Sequence, residues 1–259
     1  RCVLFFLFHF LKSPVLYYII KWKKNKVNVI MAMEVGEIMA KKDKLDIIYE
    51  DKEIIVVNKP SKLLTISTDN EKERTLFHKV ITYQKQKNKN NKIFIVHRLD
   101  RDTSGIVLFA KSEDLKRKFQ DNWDNLVKVR EYVAIVEGKP IKDKGTVRSW
   151  LKETKTLLVY SSDRMGDGKE AITHYRRVTG NKQFTMLDIL IDTGRKNQIR
   201  VHMSDLGCPI VGDKKYNSKT NPIRRMGLHA NKLVILHPVT GKEMTFECDI
   251  PNSFIKITE

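Results

Sequence analysis

Apolar residues recur along this chain with two periods. In "VKVREYVAIVEG" (Val127–Gly138), Tyr132, Ala134 and Val136 fall on one side and Val133 and Ile135 on the other. That alternation predicts a strand, ended by its glycine. Further strands are expected at Ile93–Val96, Ile106–Ala110, Thr146–Leu151, Thr156–Tyr160, Ala171–Arg177 and Phe184–Ile191. "EIIVVNKPSKLLTI" (Glu53–Ile66) reads as a strand, a proline turn and a second short extended segment. "HANKLVILHPVTGKEMTFEC" reads as a hairpin turning at "HPVTGK". Helical spacing appears less often. "RTLFHKVITYQ" places Leu76, Val80, Ile81 and Tyr83 as a helix would. In "SEDLKRKFQDNWDNL", Leu115, Phe119, Trp123 and Leu126 share a face, Ser112 is the expected N-cap, and Glu113 and Asp114 complement the helix dipole. "NQIRVHMSDLG" predicts a short helix ended by Gly207, and Gln84–Lys92 and Ser161–Glu170 read as loops, the first of them mobile. Strands outnumber helices and do not alternate with them. The expected class is therefore α+β, built on a largely antiparallel sheet. No repeat or linker interrupts residues 46–259, which are expected to form one domain after an N-terminal extension of residues 1–45.

Charge narrows the partners. The 259 residues carry a net charge of +18, which favours a polyanion such as nucleic acid or an anionic membrane. Residues 1–30 hold six Lys or Arg and no acid, so residues 31–259 keep +12. Val3–Ile20 spans 18 mostly apolar residues interrupted by Lys12 and Pro14. Three readings of it stand: a membrane anchor, an apolar helix packed on the domain, or translated sequence upstream of a true start at Met31 or Met33. Cys2, Cys208 and Cys248 form no CxxC pair and imply no disulfide framework, which suits a reducing, cytoplasmic location.

Candidate chemistry concentrates in two stretches. "HRLDRDTSG" (His97–Gly105) packs His97, Arg98, Asp100, Arg101 and Asp102 between two apolar runs. Its residues suit a solvated tight turn, and they equally suit a carboxylate held beside arginine, which keeps an acid ionised and aimed as nucleophile or base. "TGRKNQIRVHM" (Thr193–Met203) offers Arg195 and Arg200 where a strand turns into a helix. These are surface arginines or groups for a phosphate or a buried acid. His97, His202, His229 and His237 show no HxxxH or HxH spacing, so a zinc site has no support. Neither GxxxxGK[ST] nor GxGxxG occurs, so a nucleotide cofactor has none either. By spacing alone Tyr132 is a core or half-buried strand aromatic.

Together and in this order, the motifs resemble those of the RluA family of RNA pseudouridine synthases. Its HRLDxxTSG loop is matched by His97–Gly105. "VVNKPS" (Val56–Ser61), "REYVAIVEG" (Arg130–Gly138), "TGRKNQIRVHM", "GCPIVGDKKY" (Gly207–Tyr216) and "LHANKLVILHPVTG" (Leu228–Gly241) follow in family order. The resemblance covers residues 46–255 and implies a large, mostly antiparallel mixed sheet around a central RNA-binding cleft. It implies Asp100 as nucleophile, Tyr132 as the base-stacking tyrosine that helps remove the C5 proton, and Arg200 as partner of the aspartate. Arg98 would help displace the target base. His97, Arg101, Arg195, Gln198 and His202 are expected to contact RNA, with no metal and no cofactor in the reaction. The substrate would be a stem-loop uridine of large-subunit rRNA or tRNA, and the protein a monomer. Two positions depart from the family pattern: Asn197 stands where His is usual, which is expected to alter RNA contacts, and Lys62 stands where Gly is usual, which suggests a different turn or an added phosphate contact. The small N-terminal RNA-binding domain of many members has no counterpart in these residues, which leaves RNA selection to the catalytic domain.

Two other readings compete. One is a non-catalytic RNA-binding or ribosome-assembly protein of the same fold, which has no reason to keep Asp100, Tyr132 and Arg200 together. The other is a glycoside hydrolase with paired acids, for which a +12 surface is a poor match to neutral sugars.

Overall fold

The computed structural model describes residues 45–67, 71 and 73–259. The apolar stretch and the alternative start sites considered above lie outside them. The described chain folds around one 11-stranded sheet. Its strands are β1 (Ile47–Glu50), β2 (Ile54–Lys59), β3 (Phe94–Ile95), β4 (Ser104–Ala110), β5 (Val127–Glu137), β6 (Lys144–Glu153), β7 (Val159–Ser162), β8 (Lys169–Gly180), β9 (Phe184–Ile191), β10 (Leu228–Leu236) and β11 (Glu243–Glu247). The helices are α1 (Leu76–Lys87), α2 (Glu113–Asp121), α3 (Trp123–Leu126), α4 (Gln198–Asp205) and α5 (Asn252–Thr258). Strand order is β1-β2-β4-β10-β5-β9-β8-β6-β7, with β11 on β10 and β3 on β4. Among the described strands only β4 and β10 pair in parallel, at Ser104–His229 and Gly105–Ala230. The α+β, mostly antiparallel expectation holds.

Alternation along the strands sorts the core onto two faces. On β2 and β4, Ile54, Val56, Ile106 and Leu108 pack with Phe119 of α2 and Phe246 of β11, while Ile55, Val57, Val107 and Phe109 pack with Leu76 and Val80 of α1. On β5, Val133 and Ile135 meet Phe254 of α5, while Ala134 and Val136 meet Ile199 and Met203 of α4. Tyr132 touches both the α1 cluster and the α4 cluster. It therefore marks the middle of one face of the sheet.

Several boundaries differ from the sequence reading. Gln84–Lys92 is not a loop throughout: α1 runs to Lys87, because Gln84 is buried and its amide donates to Glu50 at 2.8 Å. The expected strand at Thr156–Tyr160 begins only at Val159, since Thr154–Leu158 folds into a turn with Leu157 at φ 61°. The helix after Ser112 breaks at Asn122 into α2 and α3, although Ser112 caps it as expected, accepting from the Leu115 N–H at 3.2 Å. Ser104 and Gly105 belong to β4 rather than to the charged loop. β1 and α5 carried too few periodic residues to be anticipated.

Candidate active site

The charged loop is held by the segment that follows β2. Thr65 Oγ1 donates to the Leu99 carbonyl at 2.7 Å and accepts from the Leu99 N–H at 3.2 Å. Ser61 Oγ donates to the Asp102 carbonyl at 2.7 Å. Lys59 is fully buried, and its Nζ donates to the carbonyls of Pro60, Leu63 and Arg101. Burial pushes this ammonium down to about 7, against the charges of Asp102 and Asp100. Leu99 enters the core on the α1 side. Pinned at Leu99, Arg101 and Asp102, the backbone has little freedom at Asp100 between them.

Asp100 is partly exposed, and its Oδ2 accepts from Arg200 Nη1 at 3.2 Å. Its Oδ1 makes no hydrogen bond to a described residue. Arg200 projects from α4 and is itself locked. Nε and Nη2 grip Asp213 at 2.6 and 2.8 Å, Nη1 also reaches Asn197 Oδ1 at 2.9 Å, and the guanidinium lies 4.9 Å from the Tyr216 ring centre. Burial works against the charge on Arg200, but Asp213 and then Asp100 outweigh it, so the guanidinium is held more firmly protonated than a free one. Asp213 is almost fully buried. This fork-to-fork pair fixes orientation as well as charge. One end of Arg200 is thus committed to structure and the other presented to Asp100.

Tyr132 stands on β5 with its hydroxyl making no hydrogen bond to a described residue. Burial pushes the phenol up to about 12; Arg130 pulls it down and the charge of Asp100 raises it again. Asp100 and Arg200 are thus bonded to each other, and the charge of Asp100 reaches Tyr132.

The expected RNA contacts divide. Arg98, Arg101 and Arg195 are exposed. Arg98 and Arg101 use no side-chain hydrogen bond or ion pair to a described residue. His97 is partly buried, accepts from the Leu108 N–H through Nε2 at 3.0 Å and packs 5.7 Å from Trp123, so its ring braces the loop from behind. Burial, then Arg130, pushes it down to about 4. Gln198 and His202 do not face outward, which corrects their assignment. Gln198 accepts from Thr193 Oγ1 and the Arg195 N–H and donates to Ile172 and Thr173. His202 is fully buried between Ser149 Oγ at 2.9 Å and Thr173 Oγ1 at 2.8 Å. Both lie on the α4 side facing β8, where packing consumes every polar atom. Asn197 is likewise buried rather than available to RNA. It sits at φ 56° at the start of α4, and its amide links Arg200 to the Tyr216 hydroxyl. Lys62 adopts φ 67°, the left-handed backbone that glycine accepts without cost.

The sequence reading missed Asp213, Lys59 and Thr65 as site residues. All three lie in or beside quoted motif stretches, which was the available signal. The four histidines considered for zinc occupy unrelated partners. The cluster of possible metal ligands among the described residues, Asp51, Glu53 and His237, is a turn lock: Asp51 accepts from the N–H groups of Glu53 and Ile54, the Tyr49 hydroxyl and His237 Nε2. No helix among the described residues is long and apolar enough to cross a membrane.

A family model described as RNA pseudouridylate synthase matches residues 53–205. Ribosomal large subunit pseudouridine synthase C of Rickettsia bellii is 35% identical over 82% of this chain and 70% of its own length. The uncharacterized RNA pseudouridine synthase YlyB of Bacillus subtilis is 32% identical over 87% of this chain and 76% of its own. Among solved structures, human RNA pseudouridylate synthase domain containing 4 aligns with a TM-score of 0.68 at 23% identity, covering 86% of this chain and 95% of that one. Human RNA pseudouridylate synthase domain containing 1 aligns at 0.64 and 22% identity, covering 81% and 84%. The fold is theirs.

Proposed function

Given that the chain belongs to the RNA pseudouridine synthase family, of the RluA type, and is an isomerase, we propose that it converts one uridine in structured RNA to pseudouridine with Asp100 as nucleophile. The arrangement of Asp100 is the observation that carries this. One carboxylate oxygen is held by an arginine that is itself held, the other has no hydrogen-bond partner among the described residues, and the charge of Asp100 reaches Tyr132. The relatives named for the ribosomal large subunit favour rRNA as the substrate, with tRNA the second choice.

In this reaction the bond between C1′ and N1 breaks, the uracil turns, and C1′ bonds to C5; the C5 proton leaves to solvent and N1 takes one up. Nothing is oxidised and no group is transferred to another molecule, so the reading calls for no cofactor. Asp100 supplies the carboxylate that takes up sugar or base while the glycosidic bond is open. Arg200 keeps that carboxylate aimed. Tyr132 forms the wall against which the detached uracil rotates. A phenol held near 12 keeps its proton at neutral pH, so it suits a wall and proton relay, not a standing phenolate. A stacked uridine must first leave its helix, at a cost of a few kcal/mol. Exposed Arg98, beside the nucleophile, is placed to fill the vacated space. Arg101 and Arg195 add phosphate contacts. We assign this chemistry to a single domain of residues 46–259, acting as a monomer in the cytoplasm.

The test is tritium release from RNA carrying uridine tritiated at C5. The full chain is assayed on rRNA and tRNA transcripts in parallel, with Asp100→Asn beside it. Release from one RNA is expected, lowered about 1000-fold or more by Asp100→Asn while filter binding persists. Undiminished release from the variant would remove Asp100 as nucleophile. Tight binding without release from any RNA would favour the non-catalytic RNA-binding protein instead.

A further inference from the structure

Arg130 precedes Tyr132 by two residues on β5 and so shares its face of the sheet. Its side chain is built into place by three segments. The guanidinium lies 5.6 Å from the Trp123 ring centre. Nη2 donates to the carbonyls of Asp192 at 2.5 Å and Ile191 at 3.5 Å. Gly194 leaves the room it needs, since a Cβ there would come within 2.6 Å of Nη1. Despite this placement, no carboxylate among the described residues pairs with Arg130. Asp124 and Asp192 act on it only through their charge, and Arg195 opposes it. Nε and Nη1 have no hydrogen-bond partner among the described residues, and neither is sealed from solvent. Arg195 follows Gly194, is exposed, and uses its side chain only to bond the Glu170 carbonyl from Nε at 2.8 Å.

Arg130 Nη1 lies against Gly194, the chain neighbour of Arg195, and neither guanidinium is paired with an acid among the described residues, so their like charges repel in the free protein. An anion between them removes that repulsion and satisfies the unused N–H groups. We infer that Arg130 and Arg195 clamp one backbone phosphate of the RNA strand that carries the target uridine. The inference rests on the proposed reaction and adds a residue to it. A phosphodiester fits better than a base. Trp123 already occupies a face of the Arg130 fork, leaving its edge donors open, and planar N–H forks match phosphate oxygens. The clamp lies two residues from Tyr132, so it would hold the strand in register while the uracil turns.

Arg130→Gln, Arg195→Gln and the double variant of the full chain are compared with the wild type on the transcript that the wild type modifies. Tritium release provides kcat and KM, and filter binding at several salt concentrations provides the slope of log affinity against log salt. Each single variant is expected to raise KM about tenfold with kcat within about threefold, and to lower the salt slope by about 1. Because both arginines hold one phosphate, the double variant costs less than the product of the singles. Arg130→Lys recovers part of the loss, and Gly194→Ala, which presses on Nη1, raises KM. Arg195 is exposed, so Arg195→Gln keeps the fold and carries the test even where Arg130→Gln does not fold. Unchanged KM and salt slope in an active protein overturn the clamp alone. A fall in kcat with KM unchanged overturns it too, placing Arg130 behind Tyr132 instead. A wild type that neither binds nor modifies any RNA overturns the proposed reaction, and the clamp with it.

Discussion

Arg200 reaches two carboxylates at once, and they are not equivalent. Asp213 is almost fully buried and takes two hydrogen bonds, whereas Asp100 is partly exposed and takes one. The first contact is structural, and the second is the one that the proposed reaction would use. Removing the first leaves a mostly buried guanidinium with two of its four hydrogen bonds gone. Asp213→Asn is therefore expected to cost about 3 kcal/mol in a urea unfolding experiment and to depress turnover as well, although Asp213 touches no substrate. Asp100→Asn keeps the Asp213 pair and should move the same midpoint by less than about 1 kcal/mol. Equal losses from the two would mean that Arg200 is held by both acids alike. At this scale the pairing of Arg200 with Asp100 was legible from the motifs. Asp213 was not, because "GDKKY" reads as a charged surface turn and nothing local shows that its aspartate is buried against α4.

Between β2 and β4 the chain builds a clamp for the charged loop. Lys59, Ser61 and Thr65 bond the carbonyls of Arg101, Asp102 and Leu99, residues about forty positions away in the sequence. The loop then enters β4 through Gly105, at φ 114°, directly against β10. A Cβ at Gly105 would come within 2.1 Å of the Ala230 carbonyl oxygen. Gly105→Ala therefore has to part β4 from β10 as well as adopt an unfavourable backbone. We expect a loss of about 3 kcal/mol or more, or failure to fold, read from thermal unfolding. A near-native midpoint would show that β4 can shift without the pairing. The loop's ends were misplaced from sequence for the same reason. Ser104 and Gly105 have turn chemistry, yet pairing with β2 and β10 makes them strand.

Across the whole molecule, buried neutral histidines set a limit toward acid. His202 and His229 are both pushed from 6.5 down to about 4, each first by burial. His229 is bonded to Ser104 Oγ at 2.7 Å and approaches Cys248 Sγ at 3.2 Å. A lowered folded-state value means that the unfolded chain binds more protons between pH 4 and 6.5. This contribution is complete above 6.5 and is lost as pH falls through 4, on the order of 3 kcal/mol for each ring. Urea midpoints should fall over that window, and His202→Asn should flatten the fall whatever it does to stability at neutral pH. An unchanged slope would mean that His202 titrates normally.

The sequence by itself determined the strands with clear alternation, the α+β class and the positive net charge, because each is set by composition or within a few neighbouring residues. The tertiary structure decided what the side chains face. Arg200 meets Asp100 across a hundred residues, Lys59 caps a loop beyond α1, and Arg130 meets the carbonyls at the end of β9 because β5 pairs with it. Gln198 and His202 read as RNA contacts in a motif, and became interior when α4 packed on β8. Burial and long-range pairing depend on the order of strands in the sheet, and no local period encodes that order.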